Sequence, residues 1–196
     1  MEAKLNEQTA STRTVSNARA GEAATATRAA VAASDRMGAL DVLRLLLLGI
    51  WLGAAIFFSF AVAPSAFAVL PARELAGAIV TRTIGIVNVG GSLIGLLLLA
   101  TTFVGGRPAA KRARTLEVIA LALLVLGTGI GHWVISARMA ALRLSMGRPI
   151  DEVAQNDPLR LAFNNLHGYS VAAMTTAMLA SLVAFILIAR RNRRNA

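Results

Sequence analysis

The sequence predicts an all-α polytopic membrane protein, a bundle of four transmembrane helices preceded by a disordered N-terminal tail. Four continuous apolar runs, 45–63, 84–104, 116–137 and 171–189, each have about the ~20 residues that a helix needs to cross a ~30 Å hydrocarbon core. Hydrophobic residues make up 56% of the 196-residue chain, and its mean hydropathy is +0.64. These runs do not alternate between apolar and polar residues, which favours helices over barrel strands.

The first 36 residues differ in composition from the rest of the chain. They are rich in Ala, Thr, Ser and Arg, and they contain neither an apolar period nor an aromatic residue. We therefore expect 1–36 to be a disordered cytoplasmic tail, 37–190 to be the membrane domain and 191–196 to be a basic cytoplasmic tail. Met37 is an alternative start. The first apolar run exceeds the ~7–15 residues of a signal-peptide core, which predicts a retained helix.

Proline and glycine positions predict the ends of the first two helices. Pro64 is expected to end or kink the first helix, because proline lacks the backbone N–H of a helix interior. Pro71 suits the start of a short helix over 72–82 that runs into the second span. Gly105 and Pro108, in a loop that follows the second run, are expected to stop that helix.

The third and fourth helices are expected to extend together beyond the membrane. The apolar period of the third helix continues to Met146, where Gly147 closes it. Asp157 followed by Pro158 is typical of an N-cap with proline at the first helical position. The polar segment 148–156 would join the two extensions.

The formal net charge of +10 resides largely in residues that flank the spans. On one side of the membrane the ten basic residues would be Arg36, Arg44, Arg107, Lys111, Arg112, Arg114, Arg190, Arg191, Arg193 and Arg194. On the other side the six would be Arg73, Arg82, Arg138, Arg143, Arg148 and Arg160. This bias predicts that both termini are cytoplasmic. The expected partner of these charges is the lipid bilayer and not nucleic acid.

Three pairs of glycines stand four residues apart, one pair in each of the first three helices. The pairs are Gly49 and Gly53, Gly91 and Gly95, and Gly127 and Gly131. Small residues at this spacing let helix backbones approach closely in lipid. The pattern predicts a compact bundle or a homo-oligomer.

Polar residues near the predicted outer side of the bundle are candidates for a site. Helical spacing predicts an outward-facing polar cavity lined by Asn88, His132, Asn164, His167 and Tyr169. Polar and ionisable groups inside spans are costly and often functional. Interhelical hydrogen bonding is the alternative explanation for the same residues.

A metal or haem role is a further alternative, although we expect no cofactor. His132, Met139 and Met146 are spaced seven residues apart, and imidazole with thioether could hold copper. Haem would require His132 and His167 to face each other as axial ligands. Two histidines are too few for a self-contained catalytic zinc site, and the absence of cysteine excludes thiolate metal sites and Fe–S clusters.

Motifs of soluble enzymes are absent from the sequence. There is no phosphate-binding glycine loop, GxSxG elbow or HExxH motif, and we do not expect an enzyme. Glu117 is the one charged residue in the four runs, and we expect it to pair with Arg114 at the end of its helix. The sequence favours a structural, accessory or small-solute-binding membrane protein. Alternatives are copper or haem handling and an oligomeric small-solute transporter.

Two short segments resemble a known family. They are Ala63–Leu70, followed by Gly77, and the pattern Phe163-x-x-Leu166-His167-x-x-Ser170. Over about 40–189 the chain resembles the bacterial family called domain of unknown function 4149, which is related to transmembrane protein 205 of eukaryotes. The resemblance implies a four-helix multi-pass protein without an established biochemical activity.

Overall fold

The computed structural model describes residues 39–104 and 111–193, together with Thr25, Thr27 and Arg28, which are helical. Apart from those three residues, the predicted tail 1–36 lies outside the described residues, as do Gly105, Pro108 and the last three residues of the tail 191–196. Contacts within the chain divide it into two units, Met1–Val42 and Leu43–Ala196. In the first unit residues 39–42 are helical, and the bundle belongs to the second.

Four helices, each long and apolar enough to span a membrane, confirm the predicted all-α architecture. They are α1 (Ala39–Val69), α2 (Arg73–Val104), α3 (Lys111–Met146) and α4 (Pro158–Arg193). Each contains its predicted apolar run and is longer than that run. At ~1.5 Å per residue, the 36 residues of α3 measure about 54 Å and exceed a ~30 Å hydrocarbon core.

We expected Pro64 either to end or to kink the first helix. The first alternative is wrong, because α1 continues beyond Pro64 to Val69. A π-helical stretch, Phe58–Val62, precedes the proline, and α-helical geometry resumes from Ala63 to Val69. Proline cannot donate to the carbonyl four residues earlier and its ring collides with that carbonyl. A wider π turn at this place changes the hydrogen-bond register and accommodates the ring. α1 ends where Leu70 becomes extended, with ψ 135°.

The predicted boundaries around the connection between α3 and α4 are confirmed. α3 contains a second π-helical stretch, Ile130–Ser136, and ends at Met146, followed by Gly147 with φ 64°. Glycine suits this left-handed position because it has no Cβ. The N–H of Leu159 donates to Oδ1 of Asp157 at 2.8 Å, which caps α4.

The extensions of α3 and α4 beyond the apolar runs contact each other. The guanidinium of Arg143 on α3 lies 5.1 Å from the ring centroid of Phe163 on α4, a cation–π contact. Arg160 donates to the carbonyl oxygen of Val153, in the connection between the two helices. We call this the Arg143 end of the bundle, where α1 also ends and α2 begins. The Glu117 end is the opposite one, where α2 ends and α3 begins.

The core between the helices is apolar and fully buried. Its largest buried side chains come from all four helices: Leu48, Trp51, Leu98, Leu121, Leu124 and Ile188. The indole Nε1 of Trp51 donates to the backbone oxygen of Val87 at 2.8 Å, which fixes α1 against α2. α3 is packed against both α2 and α4.

Candidate functional site

A polar layer crosses the middle of the bundle between α2 and α3. The hydroxyls of Ser92 and Thr128 are buried and lie 2.9 Å apart. Because Thr128 donates to the backbone oxygen of Leu124 at 2.7 Å, the proton between the two hydroxyls belongs to Ser92. Such interhelical hydrogen bonds contribute about 0.6 kcal/mol each in membrane proteins.

One turn toward the Arg143 end, the structure places Asn88 and His132 at the same stretch of the α2–α3 interface. Asn88 is 2% exposed and therefore points into the bundle. Its Nδ2 lies 3.2 Å from the position that a Cβ on Gly131 would take. The ring of His132 borders Gly85, with Cε1 3.6 Å from the position of a Cβ there. These two candidates are therefore neighbours across the interface.

His132 combines a half-buried ring with one buried nitrogen. Its Nδ1 is buried and has no hydrogen-bond partner among the described residues. The ring meets that of Trp133 edge-on, at 5.0 Å between centroids. His132 also lies within the π-helical stretch of α3, a geometry that is frequent at functional sites.

The other three cavity candidates lie on α4 and point away from the interface. Asn164 and His167 are exposed, and Tyr169 is 65% exposed. Exposed side chains do not line an enclosed space with Asn88 and His132. The structure therefore does not bring the three α4 candidates together with Asn88 and His132. Spacing along one helix predicted which α4 residues share a face, but packing decides which way that face points.

The π-helical stretch of α3 affects the predicted copper ligands His132, Met139 and Met146. The seven-residue spacing of His132, Met139 and Met146 places them on one face only if the helix is α-helical throughout. The π-helical stretch up to Ser136 alters the rotation per residue between the first two. Among the residues that the structure describes, no group of three or more His, Asp or Glu is arranged to hold a metal ion. Copper and haem binding stay predictions.

A charged cluster at the Glu117 end joins all four helices. Glu117 is 3% exposed, and its Oε1 lies 3.4 Å from Nη1 of Arg44 while its Oε2 lies 2.9 Å from Nη1 of Arg191. The guanidinium of Arg44 also donates to the hydroxyls of Thr101, at 3.1 and 3.0 Å, and Thr102, at 3.3 Å. We call these five residues the Glu117 cluster.

The predicted pairing of Glu117 with Arg114 is wrong. Arg114 donates to the backbone oxygen of Thr102 at 3.3 Å instead, and Arg44 and Arg191 supply the ion pairs of the carboxylate. A buried carboxylate requires cations that are themselves held in place. The sequence signal was a single acidic residue inside the four apolar runs, but its partners come from α1 and α4 and are distant in sequence.

Two of the three glycine pairs lie inside the bundle. A Cβ on Gly91 would lie 2.6 Å from Nε1 of Trp51, and one on Gly95 would lie 2.6 Å from Cγ2 of Val125. A Cβ on Gly127 would lie 2.9 Å from the backbone oxygen of Ala173 on α4. Gly131 borders Asn88. The close approaches at Gly91 and Gly95 join α2 to α1 and α3. The close approach at Gly127 joins α3 to α4.

The third pair, Gly49 and Gly53 on α1, lies on the outside of the bundle. Both glycines are exposed. A Cβ on Gly53 would have no described atom within 4 Å, and one on Gly49 would meet only Cε2 of Phe185, at an ordinary 3.7 Å. Neither glycine is needed for packing among the described residues. This pair is a small-residue surface that the described bundle leaves open.

The comparisons with known proteins concern the first three helices. The family model Domain of unknown function (DUF4149) matches residues 46–148. The match therefore includes Gly49, Gly53, Glu117 and His132, and it ends before α4. The pattern around Phe163 and His167 lies beyond it. Comparisons with curated proteins and with solved structures give no match.

Proposed function

This chain belongs to the family Domain of unknown function (DUF4149), and we propose that it is an accessory membrane protein that acts as a homo-oligomer. The observation that carries the proposal is the outward position of Gly49 and Gly53 on α1. Helices associate in lipid through van der Waals contact, and small residues four positions apart provide it. A second copy of the chain, with the same α1 face, fits this surface by two-fold symmetry.

The interior of the bundle supports an accessory role over solute transport by one chain. Leu98, Leu121 and Leu124 are fully buried between the polar layer and the Glu117 cluster. An apolar, close-packed layer offers no partners for a polar solute or its water. A path for solute would therefore have to form between chains, and oligomeric transport remains the alternative proposal.

We place the Glu117 end in the cytoplasm of a bacterial inner membrane. The support is the excess of Lys and Arg in the segments at that end, ten against six. This orientation puts both termini in the cytoplasm. It also puts Asn88 and His132 in the half of the bundle that is nearer the outside.

Disulfide cross-linking in membranes tests the proposal, because the natural chain has no cysteine. Ile50 lies beside Gly49 and Gly53 on α1 and is 67% exposed, while Leu93 on α2 is 64% exposed. The two are at similar depths, since Gly91 meets Trp51. Ile50→Cys and Leu93→Cys are therefore matched probes of two different faces.

We expect Ile50→Cys to give a cross-linked dimer under mild oxidation and Leu93→Cys to give little. Adding Gly53→Leu to Ile50→Cys should abolish the dimer, because a bulky side chain prevents the close approach of two α1 helices. In detergent dilute enough to keep the natural chain monomeric, the unfolding midpoint should not fall, since nothing in the described chain lies within 4 Å of a Cβ there. Equal cross-linking from both faces would reject the α1 interface.

A further inference from the structure

The guanidinium of Arg143 is held between three helices at the Arg143 end of the bundle. It belongs to α3, lies 5.1 Å from the ring centroid of Phe163 on α4, and reaches Gly77 on α2. Phe163 and Gly77 are buried, whereas Arg143 itself is exposed. A Cβ on Gly77 would lie 3.2 Å from Nη2, so the missing side chain leaves the guanidinium its room. The guanidinium is therefore held against two neighbouring helices and stays accessible to a ligand.

The hydrogen-bond donors of this guanidinium are not used within the described chain. Among the described residues, no carboxylate forms an ion pair with Arg143 and no oxygen accepts a hydrogen bond from it. Arg160, by contrast, donates to the carbonyl oxygen of Val153. A guanidinium carries five N–H donors in a planar fork and keeps its charge. Arg143 therefore offers a fixed positive charge with unused donors.

The charges around Arg143 favour an anion. The segments at this end carry six arginines and four acidic residues, namely Glu74, Asp151, Glu152 and Asp157. Asp157 caps α4, and Asp151 lies 4.0 Å from Arg73. Glu74 and Glu152 are exposed and make no ion pair in the described part of the chain. The excess of arginine leaves this end with a positive charge.

We propose that the guanidinium of Arg143 binds a phosphate group. Its planar fork matches two phosphate oxygens, and such charge-assisted hydrogen bonds are stronger than those between neutral groups. Phe163 and Gly77 are positioning residues, because a guanidinium that is already held loses less conformational entropy when the anion binds. The inference goes beyond the proposed oligomer, because the α1 face takes no part in it.

The depth of Arg143 is compatible with two sources of that phosphate group. Arg143 is six residues beyond the apolar run that ends at residue 137, which is about 9 Å along α3. Lipid headgroups extend about 5–8 Å beyond the hydrocarbon core on each side. The long side chain therefore lies where headgroup and water meet. A phospholipid headgroup and a dissolved phosphate compound both present the same group there.

Thermal unfolding of the full chain in lipid-free detergent micelles tests this inference, with inorganic phosphate and phosphatidylglycerol as separate probes. A ligand that binds only the folded chain raises the unfolding midpoint in a saturable way. Because phosphate also stabilises proteins non-specifically, variants are compared with the natural chain at equal phosphate concentration, with chloride of equal ionic strength as the blank. A saturable rise with inorganic phosphate would support a dissolved ligand. A rise with phosphatidylglycerol alone would support a lipid headgroup.

Arg143→Lys keeps the positive charge and replaces the fork by a single ammonium group. We expect it to weaken binding of the effective probe about tenfold or more, as for the loss of a charge-assisted hydrogen bond. Arg148→Lys is the matched control, because Arg148 is another exposed arginine of α3's end, and it should bind as the natural chain does.

Gly77→Ala tests the positioning of the guanidinium without removing it. The new Cβ would lie 3.2 Å from Nη2 and displace the end of a flexible side chain, so binding should weaken several-fold while the phosphate-free midpoint changes little. Gly168→Ala, where a Cβ would meet nothing within 4 Å, should leave binding unchanged. The absence of a saturable rise with either probe would overturn the proposal. So would an Arg143→Lys variant that responds to both probes as the natural chain does.

Discussion

Glu117 of α3 and Arg191 of α4 form an ion pair, with 2.9 Å between Oε2 and Nη1. The same carboxylate holds Arg44 of α1 through its other oxygen. One buried acid thereby connects the first and last helices of the bundle to α3. Removal of either the carboxylate or a guanidinium group would leave a buried charge without its partner.

We expect Glu117→Gln to destabilise the bundle by about 3–5 kcal/mol, the usual cost of removing one partner from a buried ion pair. Arg44 and Arg191 would lose the negative charge that compensates their burial. Unfolding in mixed micelles, followed by circular dichroism, measures the change. Glu74→Gln is the control, because Glu74 is an exposed acid in the first turn of α2. A Glu117→Gln variant as stable as this control would contradict the role of the cluster.

Gly91→Ala tests the close contact between α2 and its neighbours. The new Cβ would lie 2.6 Å from Nε1 of Trp51 and 2.7 Å from Cγ2 of Thr128, so α1 or α3 must shift. Overpacking of this kind typically costs about 1–3 kcal/mol. The unfolding free energy of Gly91→Ala should fall by that amount, while Gly90→Ala on the open side of the same turn should not lower it. If the two variants were equally stable, α1 or α3 would shift without a loss of unfolding free energy.

Trp51→Phe removes one hydrogen bond and keeps most of the buried ring. The indole donates to the backbone oxygen of Val87 at 2.8 Å across the α1–α2 interface. We expect a loss of about 0.6–1.7 kcal/mol, as for other interhelical hydrogen bonds in membranes. The variant should show both a lower free energy of unfolding and faster exchange of the amide protons around residue 87. No change in either would show that the bond does not hold the two helices.

Gly147→Ala probes the end of α3. The residue has φ 64°, a conformation that costs an L side chain about 1–2 kcal/mol. Since a Cβ there would meet nothing within 4 Å, the cost is one of backbone conformation alone. We expect a destabilised connection between α3 and α4, seen as faster proteolysis of 147–157 with little change in the membrane core. Unchanged proteolysis would indicate that the turn adapts.

The four apolar runs predicted the fold, because a long and continuously apolar segment crosses a membrane as a helix, which hydrogen-bonds its own backbone groups. Gly147 and Asp157 predicted helix ends because backbone conformation and capping depend on local residues. The π-helical stretches before Pro64 and around His132 could not be predicted, since α and π turns use the same apolar residues. The partners of Glu117 could not be predicted either, because three-dimensional packing selects them. The same holds for the outward direction of His167 and Tyr169.

The central claim, that this protein works as an oligomer joined through α1, is tested most directly by counting chains in bilayers. Fluorescently labelled natural chain, reconstituted at low density, should bleach in two steps, and Gly53→Leu should bleach in one. A Gly90→Leu variant should resemble the natural chain, since that glycine is on α2 and away from the proposed interface. Single-step bleaching of the natural chain at every density, equal to that of Gly53→Leu, would contradict the account.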